Sequence, residues 1–248
     1  MKEQREIIAQ NIRIVRKRIQ DACHASGREE SAVKLLLATK TVPADLILHA
    51  LEEGETMIGE NKVQEIKEKY EKLTAVPHEK HFIGHLQTNK IKEVLKYGVT
   101  CIQSLDRLDV AEKLHKRLVY EGKNMDVLIQ VNTSFEDSKF GVHPDDAVEL
   151  VCRVAQLDTL NIKGLMTIGL FSAEQEKVRN CFRLLKAIQQ QIILLNIPGV
   201  SMDELSMGMS GDLETAIQEG ATIVRVGTAV FGERAYPDSY YWNENTSV

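Results

Sequence analysis

Short apolar runs alternate with longer amphipathic segments along most of the chain. The apolar runs have the length of buried strands, whereas the segments between them repeat apolar residues at helical spacing. Eight strands are predicted, at residues 35–40, 56–61, 81–84, 100–105, 126–132, 162–169, 204–209 and 222–232. Seven helices are predicted between them, at residues 43–54, 62–73, 89–98, 107–122, 143–157, 174–195 and 211–220.

This alternation of strands and helices predicts an α/β protein, a single (β/α)8 TIM barrel at about residues 33–235 of one domain spanning 1–248. No stretch rich in Pro, Gly or Ser marks a domain boundary. A doubly wound open sheet is the alternative, because it has the same alternation of elements.

The first 25 residues form a further amphipathic segment ahead of the first strand. Ile8, Ile12, Val15 and Ile19 recur at helical spacing. Charged residues throughout the segment leave no unbroken apolar core, so neither a signal peptide nor a membrane span is expected. We predict an extra N-terminal helix at about 2–25 that covers the part of the barrel wall near the eighth strand.

Composition narrows the class of protein. The 248 residues are 43% hydrophobic and 27% charged, which is ordinary for a globular protein. The net charge of -5 argues against a nucleic-acid partner. Lys and Arg lie beside Glu on predicted helices, as in IKEKYEKL, and are expected to be solvated. Four widely spaced cysteines without a C-x-x-C pair suit a reducing compartment, so a cytoplasmic location is expected.

Polar side chains close nearly every predicted strand, where a barrel of this kind carries its chemistry. Alternation places Lys40 on the same face as Leu36 and Ala38, and it places Arg225 on the face of Ile223. A lysine that ends a buried strand is costly unless its charge is paired or removed. The two cations therefore predict an anion or a carbonyl compound at the barrel mouth. The polar residues at the strand ends are Lys40, Asn61, His85, Ser104, Asn132, Thr167, Ser206, Ser210, Arg225 and Thr228.

Two glycine-containing turns predict a phosphate site. Gly208, Ser210 and Gly211 lie between the seventh strand and a helix, and Gly227 and Thr228 follow the first part of the eighth strand run. The loops after strands seven and eight are the usual phosphate site of these barrels. We expect the phosphate on one side of the mouth and the lysine on the other.

A phosphate site and an inward lysine together suggest a phosphorylated aldehyde held as a Schiff base. A buried lysine with a depressed pKa is neutral and nucleophilic, so its amine can attack a carbonyl carbon. Two chemistries fit a barrel: a class I aldolase acting on a sugar phosphate, and pyridoxal 5'-phosphate (PLP) held on the lysine. A non-enzymatic interaction barrel is a third possibility, but it leaves the phosphate turns unexplained.

Several longer motifs resemble the pyridoxal phosphate homeostasis protein family, also called YggS/PROSC. They are ATKTVP, IGENKVQE, HFIGHLQTNK, VLIQVNTS with SKFGV, IKGLMTI and LSMGMSGDLETAIQEGATIVRVGTAVFGER, and the resemblance extends over about residues 5–236. It implies a barrel of the alanine-racemase N-terminal type that binds PLP, without a dedicated catalytic activity. The implied role is to hold and distribute the cofactor, which keeps vitamin B6 pools balanced and involves transient contact with PLP-dependent apoenzymes. A monomer or weak dimer is expected, without a membrane partner.

Matched by motif, Lys40 corresponds to the lysine that forms the aldimine, and Arg225 is expected to face the pyridine nitrogen. A cation there disfavours protonation of the ring, which weakens it as an electron sink. The resemblance also implies one residue beside the cofactor ring and five in the phosphate cradle. These residues are Asn61 for the ring and Ser206, Gly208, Ser210, Gly227 and Thr228 for the phosphate.

The sequence departs from several relatives directly after Lys40, where a second lysine is replaced by Thr41 and Val42. Lys139 matches a family lysine, with a solvated loop cation as the alternative. An amino-acid racemase is the alternative function. It needs a second domain and a base on the other face of the substrate, and 16 residues after Gly232 are too few for a domain. The tail tyrosines that could act as such a base are Tyr236, Tyr240 and Tyr241.

Overall fold

The structure is a computed structural model, which describes residues 2–170 and 172–233. The tail tyrosines Tyr236, Tyr240 and Tyr241 lie outside the described residues, as do the last two residues of the predicted barrel. Within the described ranges, no helix is long and apolar enough to span a bilayer.

Eight parallel strands close into a barrel in sequence order. The first and last strands in the sequence pair with each other, from Lys34 opposite Ile223 to Leu37 opposite Val226. This pairing excludes the doubly wound open sheet and confirms the predicted barrel. The strands are β1 Lys34–Ala38, β2 Met57–Glu60, β3 Glu79–Phe82, β4 Cys101–Leu105, β5 Met125–Gln130, β6 Leu160–Met166, β7 Glu204–Ser206 and β8 Ile223–Val226.

Helices surround the barrel, and the extra N-terminal helix is confirmed as the first of them. Its Asn11 donates a hydrogen bond of 2.9 Å to the carbonyl of Val230, and Arg18 forms an ion pair of 2.6 Å with Glu214. These contacts place it over the two short C-terminal helices. The helices are α1 Lys2–Ala25, α2 Ala44–Glu52, α3 Val63–Leu73, α4 Ile91–Lys96, α5 Leu108–Glu121, α6 Ala147–Val154, α7 Gln175–Leu194, α8 Leu213–Gln218 and α9 Thr228–Phe231.

The predicted eighth strand, 222–232, is wrong beyond Val226. Gly227 interrupts it, and α9 follows. The apolar residues of this part have another use, because Val230 is fully buried and its carbonyl accepts the bond from Asn11. The apolar run thus forms a strand before Gly227 and a helical turn after it.

A cluster of apolar residues lies inside the barrel below its carboxyl ends. Its buried residues belong to six different strands and pack against Ile83 and Ile168. Gly164 lets β6 approach β7 closely, since a Cβ at this position would lie 1.8 Å from the carbonyl oxygen of Glu204. The buried apolar residues of this cluster are Leu36, Met57, Cys101, Leu128, Met166 and Ile223.

Candidate functional site

A cavity of about 580 Å³ lies at the carboxyl ends of the strands, a volume that suits a small molecule. Six of the eight predicted site residues line it, and Ser206 and Gly208 are not among the lining residues. The cavity is lined by Ala38, Lys40, Asn61, Ile83, Lys139, Met166, Ile168, Gly169, Met209, Ser210, Gly211, Arg225, Gly227 and Thr228.

A second cavity, of about 480 Å³, lies on the outer surface beside α1. Its lining includes Arg16 and Glu55, whose side chains are joined by two hydrogen bonds of 2.9 and 2.6 Å. Since these charges satisfy each other, this cavity offers much weaker chemistry than the one at the strand ends.

Lys40 lies in a tight turn directly after β1. The amide of Val42 donates to the carbonyl of Thr39 at 2.9 Å, which closes the turn around Lys40 and Thr41. Thr41 has φ of 65°, which is uncommon for a β-branched residue. Backbone strain of this kind persists only where the surrounding structure enforces it. The turn is therefore held in place from outside.

A buried cluster between β1, β2 and α3 supplies that restraint. Glu60 accepts 2.7 and 2.8 Å hydrogen bonds from the Thr39 hydroxyl and the Lys69 ammonium. Lys69 also donates to the carbonyl of Thr39 at 2.8 Å, and Glu65 accepts from the amide of Thr41 at 3.1 Å. Thr39 and Thr41, which flank Lys40, are thus both hydrogen-bonded to side chains of β2 or α3. The expectation that IKEKYEKL is solvated is wrong at Lys69, which is 7% exposed.

Glu60 is the unusual carboxyl of this cluster. Burial raises its pKa to about 7, although the nearby Lys69 ammonium acts in the opposite direction. Its second oxygen, Oε2, is buried without a hydrogen-bond partner among the described residues. An unbonded oxygen disfavours the ionised form, which agrees with the raised pKa.

Replacing Thr41 with glycine tests the strain in the turn. Glycine adopts φ of 65° without a steric cost, which outweighs its larger conformational entropy in the unfolded chain. We expect Thr41→Gly to stabilise the protein by about 0.5–1 kcal/mol, a shift of roughly 1–4 °C in Tm. Calorimetry measures the shift, and Thr56→Gly, at an exposed threonine without a positive φ, is the control. A lower Tm for Thr41→Gly contradicts the assignment of strain.

The two predicted phosphate turns meet at one wall of the cavity. The Ser210 hydroxyl lies 3.2 Å from the hydroxyl of Thr228 and accepts from the amide of Ala229 at 3.4 Å. Gly208, which has φ of 91°, supports this wall from behind, since a Cβ there would lie 2.5 Å from the Cβ of Ala216 on α8. A side chain at Gly208 would push the turn away from its helix.

The expectation that lysine and phosphate turns lie on opposite sides of the mouth is wrong. Closure of the barrel pairs β8 with β1, so Gly227 and Lys40 follow adjacent strands. The predicted closed barrel already implies that the first and last strands are neighbours, although they are distant in sequence. The amine and the hydroxyl-lined wall therefore lie on the same part of the rim.

Arg225 reaches the cavity from within the barrel. It is buried, and its two terminal nitrogens donate 2.7 Å hydrogen bonds to the Ser206 hydroxyl and the Thr167 carbonyl. Burial lowers the pKa of the guanidinium to about 10, and the nearby Asp212 carboxylate opposes the shift. Arg225 thus remains a cation at neutral pH, with its orientation fixed by two acceptors.

Asn61 and Lys139 complete the polar lining. Gly84 packs against the backbone of Asn61, where a Cβ would lie 2.1 Å from the Asn61 carbonyl oxygen. Lys139 donates 2.8 Å to the carbonyl of Gly169 and forms an ion pair with Glu136, and its side chain is 17% exposed. The alternative of a solvated loop cation at Lys139 is therefore wrong.

The other polar strand-end residues are not among those that line the cavity, within the described part of the chain. His85 stacks on the ring of Phe140 at 3.8 Å. Asn132 donates to the Lys139 carbonyl at 3.1 Å, and the Thr167 hydroxyl lies 2.9 Å from that of Thr133. Ser104 is buried. Polarity at a strand end thus does not by itself place a side chain in the site.

Comparison with known proteins agrees with this geometry. The model of the alanine racemase N-terminal domain matches residues 5–235. The pyridoxal phosphate homeostasis protein of Aquifex aeolicus is 45% identical over 222 residues, which cover 90% of this chain and 96% of that protein. The chain belongs to the pyridoxal phosphate homeostasis protein family. This membership confirms the resemblance carried by the sequence motifs.

Solved structures place the family in its fold class. PipY from Synechococcus elongatus, solved with PLP bound, is 30% identical with a TM-score of 0.80, and the alignment covers 91% of this chain and 100% of PipY. An alanine racemase from Clostridium difficile has a TM-score of 0.74 at 13% identity, covering 92% of this chain and 58% of the racemase. The homeostasis proteins thus share the barrel of alanine racemase.

Proposed function

We propose that this protein holds PLP as a Schiff base on Lys40 and serves as a carrier in vitamin B6 homeostasis. The observation that carries the proposal is one cavity that combines the Lys40 amine, the Arg225 cation and the Ser210 and Thr228 hydroxyls. PLP has an aldehyde, a pyridine nitrogen and a phosphate, so each of these groups has a matching partner. PipY, a relative of known structure, has PLP bound.

The covalent step requires a neutral amine. The Lys40 nitrogen adds its lone pair to the aldehyde carbon, and loss of water then leaves the carbon–nitrogen double bond of the aldimine. Lys40 is 9% exposed, and it lines the cavity together with the apolar side chains of Ala38, Met166 and Ile168. The strained turn directs its side chain into the cavity.

The phosphate of PLP is proposed to lie against the wall formed by Ser210, Gly211, Gly227 and Thr228. The two hydroxyls can donate to phosphate oxygens, and the glycines let the backbone approach the ligand closely. Gly208 supports this wall through its contact with α8. The position of Asn61 on the lining suits contact with the cofactor ring.

Arg225 is proposed to face the pyridine nitrogen. Because a guanidinium only donates hydrogen bonds and remains charged, it favours the unprotonated ring nitrogen. An unprotonated ring is a weak electron sink, so the site binds the cofactor without strongly promoting carbanion chemistry. We therefore propose a carrier without a dedicated catalytic activity. Ser206, which accepts from Arg225, contributes by orienting the guanidinium.

The cellular setting follows from the same proposal. A carrier passes PLP to apoenzymes, which are proposed as transient partners. All four cysteines, Cys23, Cys101, Cys152 and Cys181, are free thiols, which favours the reducing cytoplasm.

Reduction of the PLP-loaded protein tests the proposal. The yellow complex should lose its near-visible band on borohydride treatment, and peptide mapping should find one reduced pyridoxyl group, on Lys40. A colourless protein that takes up no PLP contradicts the function, and a label on another lysine contradicts the assignment of Lys40. Turnover of alanine or serine at enzyme-like rates contradicts the carrier and favours the racemase.

A further inference from the structure

A chain of buried side chains crosses the barrel interior from the candidate site to the opposite end. It starts at Arg225 on β8, passes through Ser206 on β7 and Gln103 on β4, and reaches His81 on β3. The donor–acceptor distances are 2.7 Å from Arg225 to Ser206, 2.6 Å from Ser206 to Gln103 and 2.7 Å from Gln103 to His81. Each of these side chains is at most 6% exposed.

The last member of this series of hydrogen-bonded side chains is the carboxylate of Glu79, at the amino end of β3. Its oxygen Oε2 lies 3.4 Å from Nε2 of His81, and the Glu79 side chain is 60% exposed. The hydrogen bond from His81 lowers the pKa of Glu79, and partial burial opposes the shift. The acceptor at this end is therefore an ionised carboxylate in contact with solvent.

The chemistry of the two ends fixes the direction of every hydrogen bond in the chain. A guanidinium can only donate, so Ser206 accepts from Arg225, and the Ser206 hydroxyl hydrogen points to the amide oxygen of Gln103. The Gln103 amide nitrogen then donates to Nδ1 of His81. The imidazole proton is left on Nε2, facing a carboxylate that can only accept.

We propose that Gln103 and His81 are positioning residues for Arg225, which they hold through Ser206 in one orientation toward the cavity. The inference rests on the proposed function in one respect, namely that Arg225 contacts the bound PLP. Neither residue is among those that line the cavity, so their effect on Arg225 passes through Ser206. A buried network of polar side chains is stable only if each member keeps its hydrogen bonds. Loss of one hydrogen bond therefore lets the next side chain change its orientation.

Two substitutions of His81 separate this role from packing. The amide of His81→Gln can accept from Gln103 and donate to Glu79, which preserves the direction of the chain. The side chain of His81→Leu fills similar space but can do neither. We expect His81→Leu to raise the Kd for PLP about tenfold, because Ser206 and Arg225 lose a fixed acceptor, and His81→Gln to stay within about twofold. Equal Kd values for the two variants overturn the proposal.

Nitrogen NMR of the PLP-free protein gives a second measurement that does not depend on the cofactor. The His81 ring should carry its proton on Nε2 alone in the wild type. In Gln103→Glu a carboxylate replaces the donor, so Nδ1 should also gain a proton. Gln130→Glu is the matched control: Gln130 is a buried glutamine bonded to the Phe140 carbonyl, and its substitution should leave the His81 signals unchanged.

A proton on Nδ1 of wild-type His81 contradicts the proposed series of hydrogen bonds from Arg225 to His81, whether or not the protein binds PLP. The expected NMR result together with no uptake of PLP leaves the chain intact and contradicts the proposed function instead. Wild-type-like folding of each variant is checked by circular dichroism, so that a changed Kd reports on the site.

Discussion

Lys40→Ala is expected to abolish covalent attachment of PLP and to lower the affinity for PLP by more than about tenfold. Alanine leaves the cavity with its phosphate wall and Arg225 but without the amine at the end of β1. The near-visible band should disappear, and borohydride should trap no pyridoxyl group. Absorbance titration and mass spectrometry of the reduced protein measure both effects.

The control for this experiment is the other lysine of the cavity. Lys139 donates to the Gly169 carbonyl and forms an ion pair with Glu136, and these contacts hold its side chain in place. Because the proposal assigns the attachment to Lys40, Lys139→Met should retain trapping there. If Lys40→Ala keeps the yellow band while Lys139→Met loses it, the attachment site has been assigned to the wrong lysine.

The sequence predicts the barrel and much of its rim because both depend on local patterns. Alternation along an apolar strand places Lys40 on the face of Ala38, and both line the cavity. The same reasoning holds for Arg225, which faces the interior with Ile223 below it. A period of two residues needs no knowledge of the partner strands, which is why these predictions succeed.

The buried polar clusters depend on contacts between distant segments. Glu60 and Lys69 belong to a strand and a charged helix run, and only the packing of α3 on β2 shows that both are buried. A charge on an amphipathic helix is normally solvated, so the pattern favours the wrong environment for Lys69. Gln103 and His81 are similarly hidden, because only the pairing of β3 with β4 shows that their side chains meet inside the barrel.

The second large effect is expected at Lys69. Lys69→Met removes the ammonium that pairs with Glu60 at 2.8 Å and holds the Thr39 carbonyl, while methionine fills similar volume. At pH 8 the folded variant must either leave Glu60 ionised without its cation or hold a proton on it against the solvent pH, and the free energy of unfolding should fall by about 3–5 kcal/mol. Chemical denaturation midpoints should fall accordingly.

The loss should be smaller in acid, and its sign follows from the raised pKa of Glu60. A carboxyl with a folded-state pKa of about 7 binds its proton more tightly when folded than when unfolded, where the value is 4.5. Its contribution to stability is full below pH 4.5 and falls as the pH rises to about 7. Removing Lys69 raises the pKa of Glu60 further. At pH 5 Glu60 is neutral in the folded variant, and we expect a loss of only about 1–2 kcal/mol.

Two controls identify the pair as the source of this pH dependence. Lys72→Met removes an exposed cation of the same helix, paired with Asp45 at 2.9 Å, and should change stability by less than about 0.5 kcal/mol. Glu60→Gln in the Lys69→Met background replaces the carboxylate with a neutral amide, so the difference between pH 5 and pH 8 should shrink. Equal losses at both pH values in Lys69→Met mean that Glu60 is not the titrating group. Lys69 also donates to the carbonyl of Thr39, next to Lys40. Loss of this contact should loosen the Lys40 turn and raise the Kd for PLP in parallel with the lost stability.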